Sequence, residues 1–186
     1  MQYQQVDVLE DFQLELPEQL DAVVYCPGSI NLKPFHRLKE EDFLADFKLN
    51  HIGAVKVIQQ ALKALKKSES ACIVLFSTVA VQTGLSFHSS VASSKGAIEG
   101  LGRALAAELA PTIRVNVIAP SLTDTPLAER LLSSDDKKKV NAERHPLKSI
   151  GTAEDMANTA RFLIGDDSRW MTGQVISVDG GMGSLR

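Results

Sequence analysis

The amino-acid sequence predicts an α/β fold with a doubly wound parallel sheet, and three observations support that prediction. Short apolar runs alternate along the chain with long stretches of helical periodicity. The runs are nearly continuous in apolar residues, which is typical of parallel strands that helices cover on both faces. Proline or glycine follows several of the runs and bounds each candidate strand. Strands and helices that alternate in this way indicate βαβ units.

The first half of the chain predicts two strands with a long helix between them. Residues 21–25 form an apolar run that Pro27 and Gly28 close, and Ala71–Phe76 forms a second apolar run. The stretch 41–67 predicts the helix, because apolar residues recur along one broad face. These residues are Phe43, Phe47, Val55, Ile58, Leu62 and Leu65.

The second half of the chain predicts two more helices and two more strands. The elements in order are a helix over 90–109, a strand over 113–118, a loose stretch over 121–150, a helix over 152–164 and a strand over 174–178. The first helix is rich in alanine and glycine, and Pro120 stops the strand that follows it. Thr152 and Asp155 resemble a capping box at the start of the last helix.

Length and composition indicate one ordinary globular domain over residues 1–186. A net charge of −3 gives no reason to expect nucleic acid or an anionic membrane as a partner. No apolar stretch is long enough to cross a bilayer, and the first residues are too polar for a signal peptide. Cys26 and Cys72 lie in apolar runs, and the four histidines are scattered. We therefore expect a cytoplasmic protein in which both cysteines are reduced core residues, and no metal site.

The residues that follow each predicted strand are the first candidates for a binding site. In open parallel sheets, ligands bind beyond the carboxyl ends of the strands. This rule selects residues 26–30, 77–83 and 119–125.

Four motifs in order along the chain resemble the short-chain dehydrogenase/reductase family. They are Ser77-Thr78 after a strand, Ser94-Lys95-Gly96-Ala97 in the next helix, Arg114-Val-Asn-Val-Ile-Ala-Pro120, and Val178-Asp179-Gly180-Gly181. Each motif is weak alone, but four in sequence over nearly the whole chain are specific. The resemblance implies a Rossmann-like sheet, NAD or NADP as cofactor, and hydride transfer between the nicotinamide and a small carbonyl or alcohol substrate.

The resemblance also implies roles for individual residues. Asn50, Thr78 and Lys95 fall at three of the family's four catalytic positions, where threonine replaces the family's serine. On the cofactor side the matching residues are Asp7 near the adenine ring, Gly28 as the last glycine of the family's turn, Lys95 at the nicotinamide ribose, and Thr123 and Thr125 at the nicotinamide amide. Ser121 stands where the family has glycine after the proline.

The chain departs from the family pattern at its phosphate-binding turn. The family's glycine-rich turn lets the cofactor pyrophosphate approach a helix N-terminus, and nothing in this sequence resembles it. The first matching position is Asp7, which the resemblance places at the end of the third strand. We therefore expect the domain over 1–186 to lack the first two strands and their helices. The strand at 21–25 would then have a bare edge, which residues 6–8 are predicted to occupy.

The second departure concerns the catalytic tyrosine of the family's Tyr-x-x-x-Lys motif. Lys95 is in place, but Val91 stands four residues earlier and cannot transfer a proton. His88, one helical turn before Val91, is a possible substitute, since histidine titrates near neutrality. A capping or exposed role for His88 is the alternative. Tyr25 belongs to a predicted strand and is expected to pack in the core.

Two functional hypotheses remain open from the sequence. The first is an NAD(P)-dependent oxidoreductase with impaired or atypical chemistry. The second is a non-catalytic scaffold or subunit partner with the same fold, which needs neither a phosphate loop nor a tyrosine. The helix at 90–109 carries small residues that allow another helix to approach closely: Gly96, Ala97, Gly100, Ala104 and Ala107. Together with the family resemblance they favour a homo-oligomer through the helices at 41–67 and 90–109, and the alternative is tight packing within one subunit.

Overall fold

The computed structural model describes residues 2–185 and contains one main sheet of four parallel strands. The strands of the chain are β1 (Ala22–Tyr25), β2 (Ala71–Phe76), β3 (Ile113–Pro120), β4 (Thr123–Asp124), β5 (Gly151–Thr152) and β6 (Val175–Val178). The main sheet has the order β1-β2-β3-β6, and β4 pairs with β5 in a separate parallel pair. The predicted α/β architecture with a parallel sheet is therefore confirmed.

Helices cover both faces of this sheet. They are α1 (Glu40–Phe47), α2 (Gly53–Leu65), α3 (Ala80–Thr83), α4 (Ser89–Leu109), α5 (Asp135–Glu143) and α6 (Ala153–Ile164), with short 3-10 turns at Phe35–Arg37, Pro126–Leu131 and Asp166–Ser168. No helix among residues 2–185 is both long enough and apolar enough to span a membrane.

Burial of both faces of β2 explains why its sequence is continuously apolar. Successive side chains point to opposite faces of a strand. Ile73 and Leu75 pack into the core under α2 and α4, whereas Cys72 and Val74 pack into the core under α6. All four side chains are fully buried. Cys72 is thus a core residue, as predicted, and the layers match the doubly wound prediction. The same prediction is wrong for Cys26, which follows the end of β1 and is exposed.

The predicted helix over 41–67 is interrupted in its middle. A π-helical turn at Lys48–Ile52 joins α1 to α2. Such a turn inserts an extra residue into the helical hydrogen-bond ladder and is frequent at functional sites. Here it contains Asn50, which is completely buried.

The predicted position of residues 6–8 is wrong. Within residues 2–185, β1 pairs with β2 alone, and residues 6–8 form no strand. Hydrogen bonds tie the segment that follows them to α2 instead: the Leu14 N–H donates to Oε1 of Gln60 at 2.8 Å, and Lys56 Nζ donates to the carbonyl of Glu10 at 2.9 Å. These bonds to helix side chains hold the segment on α2, away from pairing with β1.

The capping prediction for the last helix is confirmed. The Asp155 N–H donates to the Thr152 hydroxyl at 3.2 Å, and the Thr152 N–H donates to the Asp155 carboxylate at 2.8 Å. The reciprocal pair satisfies two backbone donors at the start of α6.

Candidate active site

The three segments that follow β1, β2 and β3 meet around one cleft of about 500 Å³. Parallel strands end at the same edge of a sheet, so side chains distant in the sequence converge there. Every candidate residue except Asn50 and Asp7 lines this cleft, namely Gly28, Thr78, His88, Lys95, Thr123 and Thr125. No group of three metal-ligating side chains lies together in the described part of the chain.

Asn50 lies directly behind the cleft wall. Its Nδ2 is 2.9 Å from the carbonyl of Asp46 and 3.0 Å from the hydroxyls of Ser29 and Ser94. A carbonyl can only accept, so the contact to Asp46 fixes the orientation of the amide. The opposite atom, Oδ1, is buried and has no hydrogen-bond partner among the described residues. A buried acceptor without a partner is unusual and indicates room for a ligand or a water.

Lys95 of α4 extends to the same place. It is buried, and its Nζ donates to the carbonyl of Phe76 at the end of β2 at 2.8 Å. Burial lowers the pKa of Lys95 to about 8, although the charges of Cys26 and Asp46 act in the opposite direction. Near neutral pH the side chain is therefore still mainly an ammonium group.

Gly28 brings these two groups together. A Cβ placed on Gly28 would lie 3.3 Å from Nζ of Lys95 and 3.4 Å from Oδ1 of Asn50. The absence of a side chain at Gly28 thus leaves a small space that a donor and an acceptor both border.

A buried hydrogen-bond network holds α4 against the end of β2. The Ser77 hydroxyl donates to Oε1 of Glu99 at 2.8 Å, and Glu99 forms an ion pair with Arg103 at 3.3 Å. Glu99 is only 4% exposed, so its carboxylate needs both partners. The network fixes the register of α4 and with it the positions of Lys95 and Val91.

Thr78 and Val91 both line the cleft. The hydroxyl of Thr78 accepts from the Ala80 N–H at 3.3 Å. This bond uses a lone pair of the oxygen, so the hydroxyl hydrogen is available to a ligand. Val91 is 5% exposed and presents aliphatic carbon to the cleft. The cleft therefore holds a hydroxyl but no phenol at these positions.

His88 lies at the start of α4 and lines the cleft. Its Nδ1 is 2.8 Å from the carbonyl of Ser86, which can only accept, so Nδ1 carries the hydrogen. Nε2 has no protein partner among residues 2–185. The geometry leaves one ring nitrogen available for proton exchange.

Asp7 does not lie in the cleft. Its carboxylate accepts from the Leu9 N–H at 2.9 Å within a local turn, so the strand end expected at Asp7 is wrong. Asp7 borders a separate shallow depression next to Pro27, which directly precedes Gly28. Asp7 therefore lies close to the cleft but does not line it.

Thr123 and Thr125 donate their hydroxyls to nearby backbone. Thr123 Oγ1 is 3.1 Å from the carbonyl of Ser121, and Thr125 Oγ1 is 3.4 Å from the carbonyl of Thr123. The pairing of β4 with β5 holds this loop over the cleft.

Tyr25 packs in the core, as predicted. Its hydroxyl donates to the carbonyl of Leu49 at 2.7 Å, and burial raises its pKa to about 12. It supplies no acid for the cleft.

One polar pair in the cleft carries no signal in the sequence. His145 is 3% exposed, and its Nε2 is 2.8 Å from the Ser121 hydroxyl. The two residues are separated by 24 positions, and the stretch between them was expected to be loose. Only the folded chain brings them together.

Comparison with known proteins identifies relatives over almost the whole chain. A family profile described as "Enoyl-(Acyl carrier protein) reductase" matches residues 2–183. A tropinone reductase homologue of Arabidopsis thaliana is 37% identical over 165 residues, which cover 88% of this chain and 63% of that protein.

Two solved structures have the same architecture. A short-chain type dehydrogenase/reductase from Mycobacterium ulcerans is 32% identical with a TM-score of 0.82, over 90% of this chain and 62% of its own. The Pseudomonas aeruginosa RhlG/NADP active-site complex is 28% identical with a TM-score of 0.83, over 89% of this chain and 67% of its own. This chain thus spans less than two-thirds of the length of the Arabidopsis thaliana and Mycobacterium ulcerans proteins that it matches.

Proposed function

This chain belongs to the short-chain dehydrogenase/reductase family, and from that premise we propose that its cleft binds the nicotinamide-ribose end of NAD or NADP. In this proposal the site transfers hydride to or from a small carbonyl or alcohol substrate. One observation carries the proposal: Lys95 Nζ and Asn50 Oδ1 both border the space at Gly28, and Oδ1 has no hydrogen-bond partner among residues 2–185. The NADP complex of the Pseudomonas aeruginosa relative supports the choice of cofactor.

The residues present fit one end of such a cofactor. The Lys95 ammonium group can donate to ribose hydroxyls, and Asn50 Oδ1 can accept from a hydroxyl or a water. The bare backbone at Gly28 allows a ring to approach both groups. Residues 2–185 contain no glycine-rich turn between a strand and a helix N-terminus. They therefore lack the kind of phosphate-binding turn at which the family binds the cofactor pyrophosphate.

The protein residues position the substrate and move its proton. When bound, the nicotinamide supplies or accepts the hydride. Thr78 donates its hydroxyl to the substrate oxygen and orients it. Val91 moves no proton, so the cleft needs another acid. We assign this role to His88, whose Nε2 is without a protein partner among the described residues, and we expect slow turnover.

The first test is a titration of the purified chain with NADH and with NADPH, followed by nicotinamide fluorescence. We expect saturable binding at micromolar concentrations to the chain. Lys95→Met should weaken that binding at least tenfold, while Lys139→Met, on the exposed face of α5, should leave it unchanged. The second step is a screen of carbonyl substrates with the chain and with His88→Gln, which should lose the residual turnover.

No binding up to millimolar nucleotide would overturn the proposal and favour the scaffold hypothesis. Binding without any effect of Lys95→Met would place the nucleotide elsewhere on the molecule. Unchanged turnover in His88→Gln would remove His88 from the mechanism but leave the binding proposal intact.

A further inference from the structure

The Ser121–His145 pair has the geometry of an activated hydroxyl. His145 Nδ1 is 2.9 Å from the backbone carbonyl of Asn141, and its Nε2 is 2.8 Å from the Ser121 hydroxyl. A carbonyl only accepts, so the ring hydrogen is on Nδ1. The lone pair of Nε2 then faces Ser121, and the serine hydroxyl donates to it. The Ser121 hydroxyl as nucleophile, the His145 ring as base and the Asn141 carbonyl that orients the ring are thus linked by hydrogen bonds.

The imidazole of His145 is held rigidly. It is 3% exposed, and its backbone N–H donates to the carbonyl of Ala142 at 2.9 Å, at the end of α5. A Cβ placed on Gly180 would lie 3.5 Å from Cβ and 3.6 Å from Cδ2 of His145, so the Gly180 backbone packs closely against the ring. The hydrogen bonds at both ring nitrogens and the Gly180 contact hold His145 in the orientation in which it can accept a proton from Ser121.

Ser121 is equally well placed. It follows β3 directly, and the Pro120 carbonyl before it accepts from the Val79 N–H at 3.0 Å. Both Ser121 and His145 line the cleft, so the hydroxyl is accessible from it. The N–H of Leu122, the residue after Ser121, donates to no group among residues 2–185. The backbone N–H after a nucleophile is a common donor to the oxyanion in acyl transfer.

We propose that Ser121 and His145 form an acyl-transfer site that hydrolyses uncharged carboxylic esters with apolar acyl groups. This activity goes beyond the proposed hydride transfer and needs no nucleotide. The substrate class follows from the lining of the cleft that holds the pair, which includes the aliphatic and thioether side chains of Leu85, Leu122, Leu127, Leu131 and Met156. Such a wall favours an apolar acyl chain, and the cationic side chains of Lys95 and Arg144 in the same cleft disfavour a positively charged one.

The chemistry balances within the pair and one water. Ser121 Oγ attacks the ester carbonyl carbon while its proton passes to His145 Nε2. The carbon–oxygen bond to the alcohol breaks, and the leaving alcohol takes the proton from Nε2. Water then attacks the acyl-serine and gives its proton to Nε2, which returns it to Ser121 as the acid leaves. No oxidant or reductant takes part.

The test uses the whole chain without nucleotide and combines a covalent probe with a turnover assay. An alkyl fluorophosphonate reports the activated serine, and peptide mass spectrometry locates the label. Hydrolysis of p-nitrophenyl butyrate reports turnover. We expect the label on Ser121 and a turnover that Ser121→Gly and His145→Asn each reduce about 100-fold or more. Ser93→Ala, a control on the exposed face of α4, should change neither measurement.

The outcomes separate catalysis from a purely structural hydrogen bond. Labelling that is absent, that lies on another serine, or that is equal in His145→Asn would overturn the proposal, as would ester hydrolysis equal to that of Ser121→Gly. Circular dichroism checks the fold of each variant. Should His145→Asn not fold, the comparison of the unaltered chain with Ser121→Gly decides the question alone. Because no nucleotide is present, neither result bears on the proposed redox function.

Discussion

Replacing Lys95 with methionine should stabilise this protein at neutral pH, although it removes a hydrogen bond. Burial lowers the pKa of Lys95 from 10.5 to about 8. At about 1.4 kcal/mol for each pKa unit, the buried ammonium group costs the folded state about 3 kcal/mol below pH 8. Methionine fills a similar volume without charge but leaves the Phe76 carbonyl without its donor, which costs about 1 kcal/mol. The net gain at pH 7 is therefore about 2 kcal/mol.

The pH dependence of this gain gives the sharper test. A lysine whose pKa is lower in the folded state binds fewer protons there between pH 8 and pH 10.5, so stability rises with pH in that window. The Lys95→Met variant lacks this dependence. Its advantage over the unaltered chain should shrink across the window and become a loss of about 1 kcal/mol above pH 10.5.

Urea denaturation of both proteins at pH 7 and pH 10 measures the difference in the free energy of unfolding. At pH 7, a gain of about 2 kcal/mol corresponds to a rise of roughly 4–8 °C in Tm for a chain of this size. Lys139→Met, on the exposed face of α5, controls for loss of a positive charge and should change stability little at either pH. A Lys95→Met variant that is less stable at pH 7, or whose advantage is independent of pH, would refute the reasoning.

Three further predictions concern the cleft and the outer helices. Val91→Tyr restores the family's acid and should raise carbonyl turnover about 100-fold in steady-state assays. Val91→Phe adds the ring without the hydroxyl and should not raise it. Equal rates for the two variants would refute this prediction. Gly28→Ala should weaken NADH binding about tenfold in a fluorescence titration, since its Cβ would lie 3.3 Å from Lys95 Nζ. Gly100→Ala is the control and should leave binding unchanged, because its Cβ would meet no described atom within 4 Å. We also predict a homo-oligomer through the helices at 41–67 and 90–109, because the apolar side chain of Phe47 on α1 is 37% exposed. Light scattering should give a lower mass for Phe47→Asp than for the unaltered chain. An unaltered chain that is monomeric would contradict the prediction.

The period of the apolar residues was enough to locate most of the secondary structure. The strand Ala71–Phe76 has the bounds predicted for it, and the capping box at Thr152 lies where its signature indicated. Such local features depend on neighbouring residues alone, through side-chain alternation and backbone capping. The same holds for the chemistry of Val91, because no fold turns an aliphatic side chain into an acid.

The π-helical turn around Asn50 could not be predicted from that period. The apolar residues on either side of it, Phe47 and Val55, keep the spacing of a regular helix. Within the turn, the Asn50 amide contacts Ser29 and Ser94, which are distant in the sequence. At Asp7 the sequence predicted an element that the structure does not contain. A strand end was expected from a short motif, but a local turn and the bonds from the following segment to α2 decided its conformation.

The sequence by itself determined the family, the doubly wound sheet, the strand ends that line the cleft and the loss of the tyrosine. Only the tertiary structure decided which polar atoms meet there: Lys95 Nζ beside Asn50 Oδ1, and Ser121 beside His145. The physical reason is that periodicity records which face of an element is buried, whereas a contact across 24 or 45 residues depends on where separate elements pack.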